Sequence, residues 1–217
     1  MAASAAESVE LRQRNDLHVI RKLWHIFAGL TGLSIYFFSG LSIEFITYTL
    51  LTIGGLSFIL ELLRLRFAQM NEFVIKVMGP FMRESERSSF SGLPFYALGV
   101  GLSLLFFSER IAILAIFFLV FADPISSYFG VMFGEDKITP NKSLQGSVAG
   151  FVTCFLISLF YGLYYAGPNF SLLAFSCFAG LIGTASELLS ELVDDNLSIP
   201  VASGVGLTFL NLFIPLF

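Results

Sequence analysis

One carboxylate stands deep inside a long apolar run of the sequence, at Asp123. Counted from Ile111, it lies about 18 Å into a hydrocarbon layer about 30 Å thick. A charge at that depth costs about 2.5 to 3.5 kcal/mol, so it needs a reason. Pro124 follows directly and frees a backbone carbonyl near Val120, because proline lacks an N–H. A broken helix bearing a carboxylate favours a cation site. The structural alternative is a proline kink with Asp123 paired to a basic residue.

A second set of acids lies near the end of a later apolar run. Glu187 and Glu191 are one helical turn apart, and we expect Asp194 and Asp195 to continue the same stripe. Like charges at this spacing repel, so they need a divalent cation, a basic partner or protonation. Mg²⁺ with a phosphate would satisfy them. The alternative is helix capping, because the segment 194–200 offers good N-cap residues before a helix with proline in its first turn.

A polar loop leads into the fifth apolar run and has the composition of an anion site. Free N–H groups and the helix dipole at such a position attract phosphate. It is not a Walker A loop, because Asn141 stands where glycine is required. The other interpretation is structural, with an interfacial lysine and a glycine packing motif over residues 146–150. Four residues would surround the helix N-terminus: Lys142, Ser143, Gly146 and Ser147.

Further charged residues stand at the ends of the first three apolar runs. Arg21, Lys22 and His25 could hold a polyphosphate, although basic residues at a span end also set topology. Glu61 and Arg64 are spaced as a structural i,i+3 ion pair. The charged segment 83–87, which contains Arg83 and Glu84, is interpreted as a solvated face of a loop.

The elements that must position these residues are membrane helices. Of 217 residues, 56% are hydrophobic and 13% charged, and the mean hydropathy is +0.82, which indicates an all-α, polytopic bundle. A net charge of −4 gives no support for nucleic-acid binding. We expect a polar N-terminal segment, 1–19, without a secretory signal, and one catalytic transmembrane domain, 20–217. The seven apolar runs are Leu23–Gly40, Phe45–Leu63, Gly92–Phe107, Ile111–Phe133, Ser147–Tyr165, Phe170–Leu189 and Ile199–Phe217.

Charge asymmetry predicts the orientation. With seven spans and a cytosolic N-terminus, Arg110 is the only one of the 12 Lys and Arg residues on the outer side. The longer connections, 64–91, 134–146 and 194–198, then lie inside, so the chemically interesting residues gather at the cytosolic ends of the helices. A multi-pass protein of a bacterial cytoplasmic, endoplasmic reticulum or plastid membrane is expected.

Five short motifs, in this order, resemble the CTP-dependent lipid kinase family. That family includes dolichol kinase, phytol kinase and the CTP-dependent diacylglycerol kinase, and is distantly related to phosphatidate cytidylyltransferases. The resemblance extends from Arg21 to the C-terminus, and it departs from the usual pattern where Ala122 replaces a glycine before Asp123. The motifs are Arg21-Lys22-x-x-His25, Arg83-Glu84 before Ser91-Gly92, Asp123-Pro124, Lys142-Ser143-x-x-Gly146-Ser147 and Asp194-Asp195-Asn196-x-x-Ile199-Pro200.

The resemblance implies transfer of the γ-phosphate of CTP, with Mg²⁺ or another divalent cation, to the hydroxyl of a lipid alcohol in the bilayer. The acceptor would be a polyprenol, phytol or diacylglycerol. Asp123 would be a metal ligand or general base, and the phosphates would contact the residues around Lys142 and around Arg21. The remaining metal ligands would be Glu187, Asp194, Asp195 and Asn196, and supporting residues would be Glu61, Arg64, Arg83, Glu84 and Glu191.

Two alternatives remain open from the sequence. A phosphatidate cytidylyltransferase would use the same nucleotide and cation but transfer CMP, making CDP-diacylglycerol. A non-catalytic transporter or membrane scaffold could also use intramembrane acids and a broken helix.

Overall fold

A computed structural model describes residues 11, 17–190 and 193–217 of the chain. Over these residues the protein is helical, and the only β-type pairing is an isolated bridge between Lys137 and Ser143. The all-α prediction is therefore confirmed for the described part. Glu191 and most of the predicted N-terminal segment lie outside the described residues.

Nine α-helices follow one another along the described part of the chain. A π-helical turn, Phe118–Ala122, joins the fifth helix to the sixth, and two 3-10 turns, Gly79–Phe81 and Glu84–Arg87, follow the third. The helices among the described residues are α1 (Val19–Phe38), α2 (Ile43–Arg66), α3 (Ala68–Met78), α4 (Gly92–Phe106), α5 (Glu109–Phe117), α6 (Asp123–Phe133), α7 (Leu144–Ala166), α8 (Phe170–Leu189) and α9 (Asp195–Phe213).

Several of these helices can cross a membrane. Five segments of the described chain are long and apolar enough, and the shorter helix α4 is apolar as well. Large side chains such as Phe106, Phe160 and Phe209 project outward from the bundle, where lipid would surround them. A multi-pass membrane protein is confirmed, whereas the count of seven spans and the side of the N-terminus stay predictions. The five segments are Ile43–Arg66, Glu109–Phe133, Leu144–Ala166, Phe170–Leu189 and Asp195–Phe213.

The segment Glu109–Phe133 is the buried axis of the bundle, and it is not broken at Asp123-Pro124. Its π turn lets the N–H of Asp123 donate to the Phe118 carbonyl, five residues back. The Leu119 carbonyl, left without that partner, instead lies 2.9 Å from Nε2 of His25 on α1. A carbonyl is therefore freed as expected, but it is that of Leu119 rather than Val120. The helix widens into a π turn at this point instead of breaking.

The junction between α8 and α9 corrects another expectation. Helix α8 ends at Leu189, and Asp194 is the N-cap of α9, with its carboxylate accepting from the Asn196 N–H at 3.0 Å. Asp194 and Asp195 therefore begin a new helix, and the predicted acidic stripe along one helix face is wrong. Because α9 begins at Asp195 rather than at Ile199, Pro200 lies inside the helix and not in its first turn.

Glycines let the helices around this axis approach closely. A Cβ added to Gly146 would lie 2.9 Å from the Ser126 carbonyl oxygen, and one added to Gly150 would lie 3.0 Å from a Glu187 carboxylate oxygen. The packing interpretation of the two glycines is therefore confirmed. The contact fixes α7 against α6 and α8, and so places the loop before α7 beside the end of α8.

Candidate active site

A polar cavity of about 220 Å³ opens where α6, α7, α8 and α9 meet. It combines acids with basic groups and small residues, as a site for a phosphorylated ligand and a cation would require. Sequence motifs that are up to 112 positions apart, from Arg83 to Asp195, come together here. The lining residues are Arg83, Asp123, Ser126, Ser127, Gly130, Val131, Gly134, Lys137, Asn141, Lys142, Ser143, Gly146, Ser147, Glu187 and Asp195.

Lys142 and Glu187 form an ion pair in the wall of this cavity. Lys142 Nζ lies 2.9 Å from Glu187 Oε1, and both side chains are about nine-tenths buried. The Ser126 hydroxyl also donates to the same carboxylate. Burial alone would lower the pKa of Lys142, but the carboxylates of Glu187, Asp123 and Asp195 outweigh it, so the pKa is raised and the lysine stays charged.

Two other carboxylates of the cavity have no such partner. The side chains of Asp123 and Asp195 form no hydrogen bond or ion pair with another described residue. Both line the cavity and are close enough to interact electrostatically with each other and with Lys142. Unpaired acids held near one another favour binding of a cation.

Two hydrogen-bond donors of the cavity are also unsatisfied. Nε of Arg83 and the hydroxyl of Ser147 are buried and have no partner among the described residues. Arg21 differs, because its guanidinium lies 2.7 Å from the buried carboxylate of Glu86 and also contacts the Phe81 carbonyl. An anionic ligand would satisfy Arg83 and Ser147 at low cost, since a buried unpaired donor is unfavourable.

The first-helix motif lines a smaller recess next to the polar cavity. Arg21, Lys22 and His25 face Arg83 and Asp123 there. His25 is committed to the Leu119 carbonyl and Arg21 to Glu86. Lys22, by contrast, forms no hydrogen bond or ion pair with a described residue, so it is available to a ligand.

The predicted ligands Asp194 and Asn196 are occupied with each other. The Asn196 side-chain N–H group donates to the Asp194 carboxylate at 2.8 Å, in addition to the backbone contact of the cap. Burial and the neighbouring Asp195 raise the pKa of Asp194 to about 6, against the opposing hydrogen bonds from Asn196. Asn196 also lies against Gly92, where a Cβ would approach its amide nitrogen to 2.6 Å. The two residues thus shape the α4–α9 contact beside the cavity.

Three of the predicted supporting residues belong to two ion pairs outside the polar cavity. Glu61 and Arg64 form the expected i,i+3 ion pair at 2.7 Å, which also binds the Ser91 N–H and the Ser89 carbonyl and so fixes the loop after α3. Glu84 pairs with Arg87 at the surface, away from the cavity. The interpretation of 83–87 as a solvated face holds for that pair and is wrong for Glu86, which is buried against Arg21.

Comparison with known proteins identifies the family. A sequence model described as the cytidylyltransferase family matches residues 2–191. The chain belongs to the cytidylyltransferase family. No solved structure matches the chain.

Named relatives of this family member are lipid kinases. The protein named CTP-dependent diacylglycerol kinase 1 of Schizosaccharomyces pombe is 36% identical, over 66% of this chain and 71% of the relative. Its namesake in Saccharomyces cerevisiae is 29% identical, over 91% of this chain and 73% of the relative. Phytol kinase 1, chloroplastic, of Arabidopsis thaliana is 27% identical, over 91% of this chain and 68% of the relative. The resemblance to the CTP-dependent lipid kinase family is therefore confirmed.

The cavity of this cytidylyltransferase-family protein offers a divalent cation two acidic ligands, so the other ligands would have to come from a substrate or water. The described residues contain no cluster of three Asp, Glu, His or Cys side chains that could hold a metal ion by itself. Mg²⁺ usually binds through one or two carboxylates together with substrate phosphates and water. Asp123 and Asp195 match that pattern, because they are the unpaired acids of the cavity.

Sequence reasoning missed one wall of the cavity in this family member. Ser126, Ser127 and Gly130 follow Asp123 along one face of α6, Gly134 is the C-cap of that helix, and all four line the cavity. A Cβ on Gly134 would meet the Ser143 hydroxyl at 2.5 Å, so the small residue lets the loop before α7 approach. The signal was present in the sequence as small residues at helical spacing after the aspartate.

Proposed function

We propose that this chain is a CTP-dependent kinase that phosphorylates the hydroxyl group of a membrane lipid alcohol. The proposal rests on one observation: a single cavity contains two acids without a hydrogen-bond or ion-pair partner among the described residues, Asp123 and Asp195. The same cavity contains two buried hydrogen-bond donors without an acceptor among those residues, Arg83 and Ser147. Catalysis of phosphoryl transfer consists mainly of positioning and charge stabilisation, which needs this combination of groups. The relatives named as CTP-dependent diacylglycerol kinases support CTP as the donor.

In the proposed reaction the lipid hydroxyl oxygen attacks the γ-phosphorus of CTP. The bond from that phosphorus to the bridging β–γ oxygen breaks, CDP leaves, and the hydroxyl proton passes to the carboxylate of Asp123. Arg83 and Ser147 donate hydrogen bonds to phosphate oxygens, and Lys22 faces the same region from α1. Preorganised donors of this kind stabilise the charge that develops in the transition state.

A divalent cation such as Mg²⁺ would neutralise charge on the β- and γ-phosphates when it is bound. In the proposal, Asp195 and Asp123 would hold it, and the phosphates would supply further ligands. Glu187 instead holds Lys142 in place beside the phosphates. At the start of α7 the Leu144 N–H donates to the Asp136 carbonyl and the Gly146 N–H donates to the hydroxyl of the N-cap Ser143, so the helix dipole rather than a set of free N–H groups would attract the same anion.

The cavity is proposed to open to the cytosol. Lys and Arg residues concentrate at the helix ends around it, and Arg110 lies at the opposite end, stacked 4.7 Å from the Tyr165 ring centroid. By the positive-inside rule, this distribution supports a cytosolic position for the cavity. Soluble CTP would reach it from there, and the lipid from within the membrane.

The proposal is tested with purified protein in vesicles that contain diacylglycerol, phytol or a polyprenol, given CTP labelled at the α- or the γ-phosphate. Label in the lipid from γ alone is the expected result. Label from α would identify a phosphatidate cytidylyltransferase when phosphatidate is the acceptor. Absence of transfer to every acceptor would contradict catalysis and favour a transporter or scaffold.

A further inference from the structure

An apolar groove of about 240 Å³ lies between α1 and α2, and it shares no lining residue with the polar cavity. Its floor is formed by Val100 of α4 and by Ile113 and Ile116 of α5. Side chains at its mouth, including Ile35 and Ile53, are about half exposed. The groove therefore opens sideways, towards the hydrocarbon of the membrane.

The inner end of the groove holds a polar group without a partner. The hydroxyl of Tyr96 is buried and has no hydrogen-bond partner among the described residues. Its ring packs edge-on against His25, with ring centroids 4.8 Å apart, and the charge of Asp123 reaches it. A buried hydroxyl in apolar surroundings costs free energy unless it is satisfied, so a ligand with a polar end is indicated.

The groove adjoins a second recess that lies at the same ends of the helices as the candidate active site. Tyr96 and Ala28 line both, and the second recess extends to Arg21 and Asn196 beside the candidate active site. The two recesses share a wall at Tyr96, with the apolar groove on one side and charged residues next to the candidate active site on the other. The polarity of the lining changes across that wall as that of a lipid alcohol does from chain to hydroxyl.

We infer that this groove holds a hydrocarbon chain of the acceptor lipid alcohol, with the Tyr96 hydroxyl hydrogen-bonded to the polar end of that lipid. The inference rests on the proposed function and adds the binding site of the acceptor. A lipid alcohol has no charged headgroup that must remain in water, so its hydroxyl can reach the depth of Tyr96. A phospholipid headgroup would have to be dehydrated to do the same, which favours the alcohol as the occupant.

Two glycines of α1 define how the groove can be blocked. A Cβ on Gly29 would lie 2.3 Å from a Val120 methyl group, because α1 touches the π turn there. One turn on, a Cβ on Gly32 meets nothing within 4 Å and points into the groove. Gly55 on α2 likewise has nothing within 4 Å, and it does not line the groove. Gly32→Phe and Gly55→Phe are thus matched substitutions that differ in their effect on the groove.

The test uses photolabelling, which does not require catalysis. Wild-type protein, Gly32→Phe and Gly55→Phe in phosphatidylcholine vesicles receive a diacylglycerol with a diazirine in one acyl chain, and labelled peptides are mapped after irradiation. Expected is label on α1 and α2 that excess plain diacylglycerol removes, that Gly55→Phe retains and that Gly32→Phe loses. Label that excess phosphatidylcholine removes equally well would show a bulk phospholipid as the occupant and overturn the inference.

Kinetics complete the test. Gly32→Phe should raise the KM for diacylglycerol about tenfold or more and leave the KM for CTP unchanged. Tyr96→Phe should raise the same lipid KM without loss of folding, because only an unpaired hydroxyl is removed. Unchanged lipid KM values in both variants would overturn the inference. If wild-type protein shows no transfer to any acceptor but the competed label is present, the kinase proposal fails and the lipid site stands.

Discussion

Lys142 Nζ lies 2.9 Å from Glu187 Oε1, although the two residues are 45 positions apart in the sequence. The pair joins the loop before α7 to the end of α8, and its position makes it both a structural element and a wall of the polar cavity. The sequence analysis predicted that Lys142 contacts a phosphate and that Glu187 binds a divalent cation. The ion pair implies that the two side chains depend on each other.

Breaking this pair should lower the thermal stability and raise the KM for CTP, and a double variant should separate the two effects. Lys142→Met leaves a buried carboxylate unpaired, which costs about 3 to 5 kcal/mol. Adding Glu187→Met should restore most of the thermal stability, measured in detergent, because a buried pair can be replaced by apolar side chains. The KM for CTP should stay raised in the double variant if Lys142 contacts phosphate. Stability losses that simply add would contradict the coupling.

Asp123→Asn should lower kcat about 100-fold or more while the protein folds normally. The Asp123 carboxylate forms no hydrogen bond with a described residue, so the isosteric amide breaks no contact. The measurement is transfer from CTP labelled at the γ-phosphate, with size-exclusion profile and unfolding temperature as folding controls. Wild-type turnover in this variant would remove Asp123 from the mechanism.

Asp194 and Asp195 are adjacent but should respond differently to amidation. Asp195→Asn should raise the Mg²⁺ concentration needed for half-maximal activity, because one of the unpaired acids of the cavity is lost. Asp194→Asn should keep the wild-type Mg²⁺ dependence, since asparagine caps a helix about as well as aspartate. Activity is titrated against Mg²⁺ after removal of bound metal with a chelator. Equal shifts in both variants would return Asp194 to the metal site.

Arg83 and Arg87 form another matched pair. Arg83→Ala should raise the KM for CTP about tenfold or more, because a guanidinium aimed at the cavity with an unsatisfied buried Nε is removed. The unfolding temperature should change little, since that side chain forms no hydrogen bond or ion pair with a described residue and acts on Asp195 only through its charge. Arg87→Ala should leave CTP use unchanged, because Arg87 pairs with Glu84 at the surface. A large loss of stability in Arg83→Ala would indicate a structural role instead.

The sequence by itself determined the fold class and most helix positions, and it singled out most of the charged residues that line the polar cavity. Hydrophobic periodicity and the cost of a charge in hydrocarbon act locally along the chain, so the apolar runs and Asp123 stood out without a structure. The grouping of Lys142, Ser143, Gly146 and Ser147 at a helix N-terminus was likewise predictable, because one local turn creates it. Helix α3 was missed inside an expected loop, since its short, mixed pattern carries a weak signal.

Only the tertiary structure decided which charged groups are paired and which are free. Lys142 with Glu187, Arg21 with Glu86 and Asp194 with Asn196 are matched by helix packing or by the turn between helices. That matching leaves the side chains of Asp123, Asp195 and Arg83 without a hydrogen bond or ion pair among the described residues. Such pairing depends on distances between helices, which glycines such as Gly146 and Gly92 set by allowing close contact. No periodicity along a single chain contains those distances, so free and paired residues look alike in the sequence.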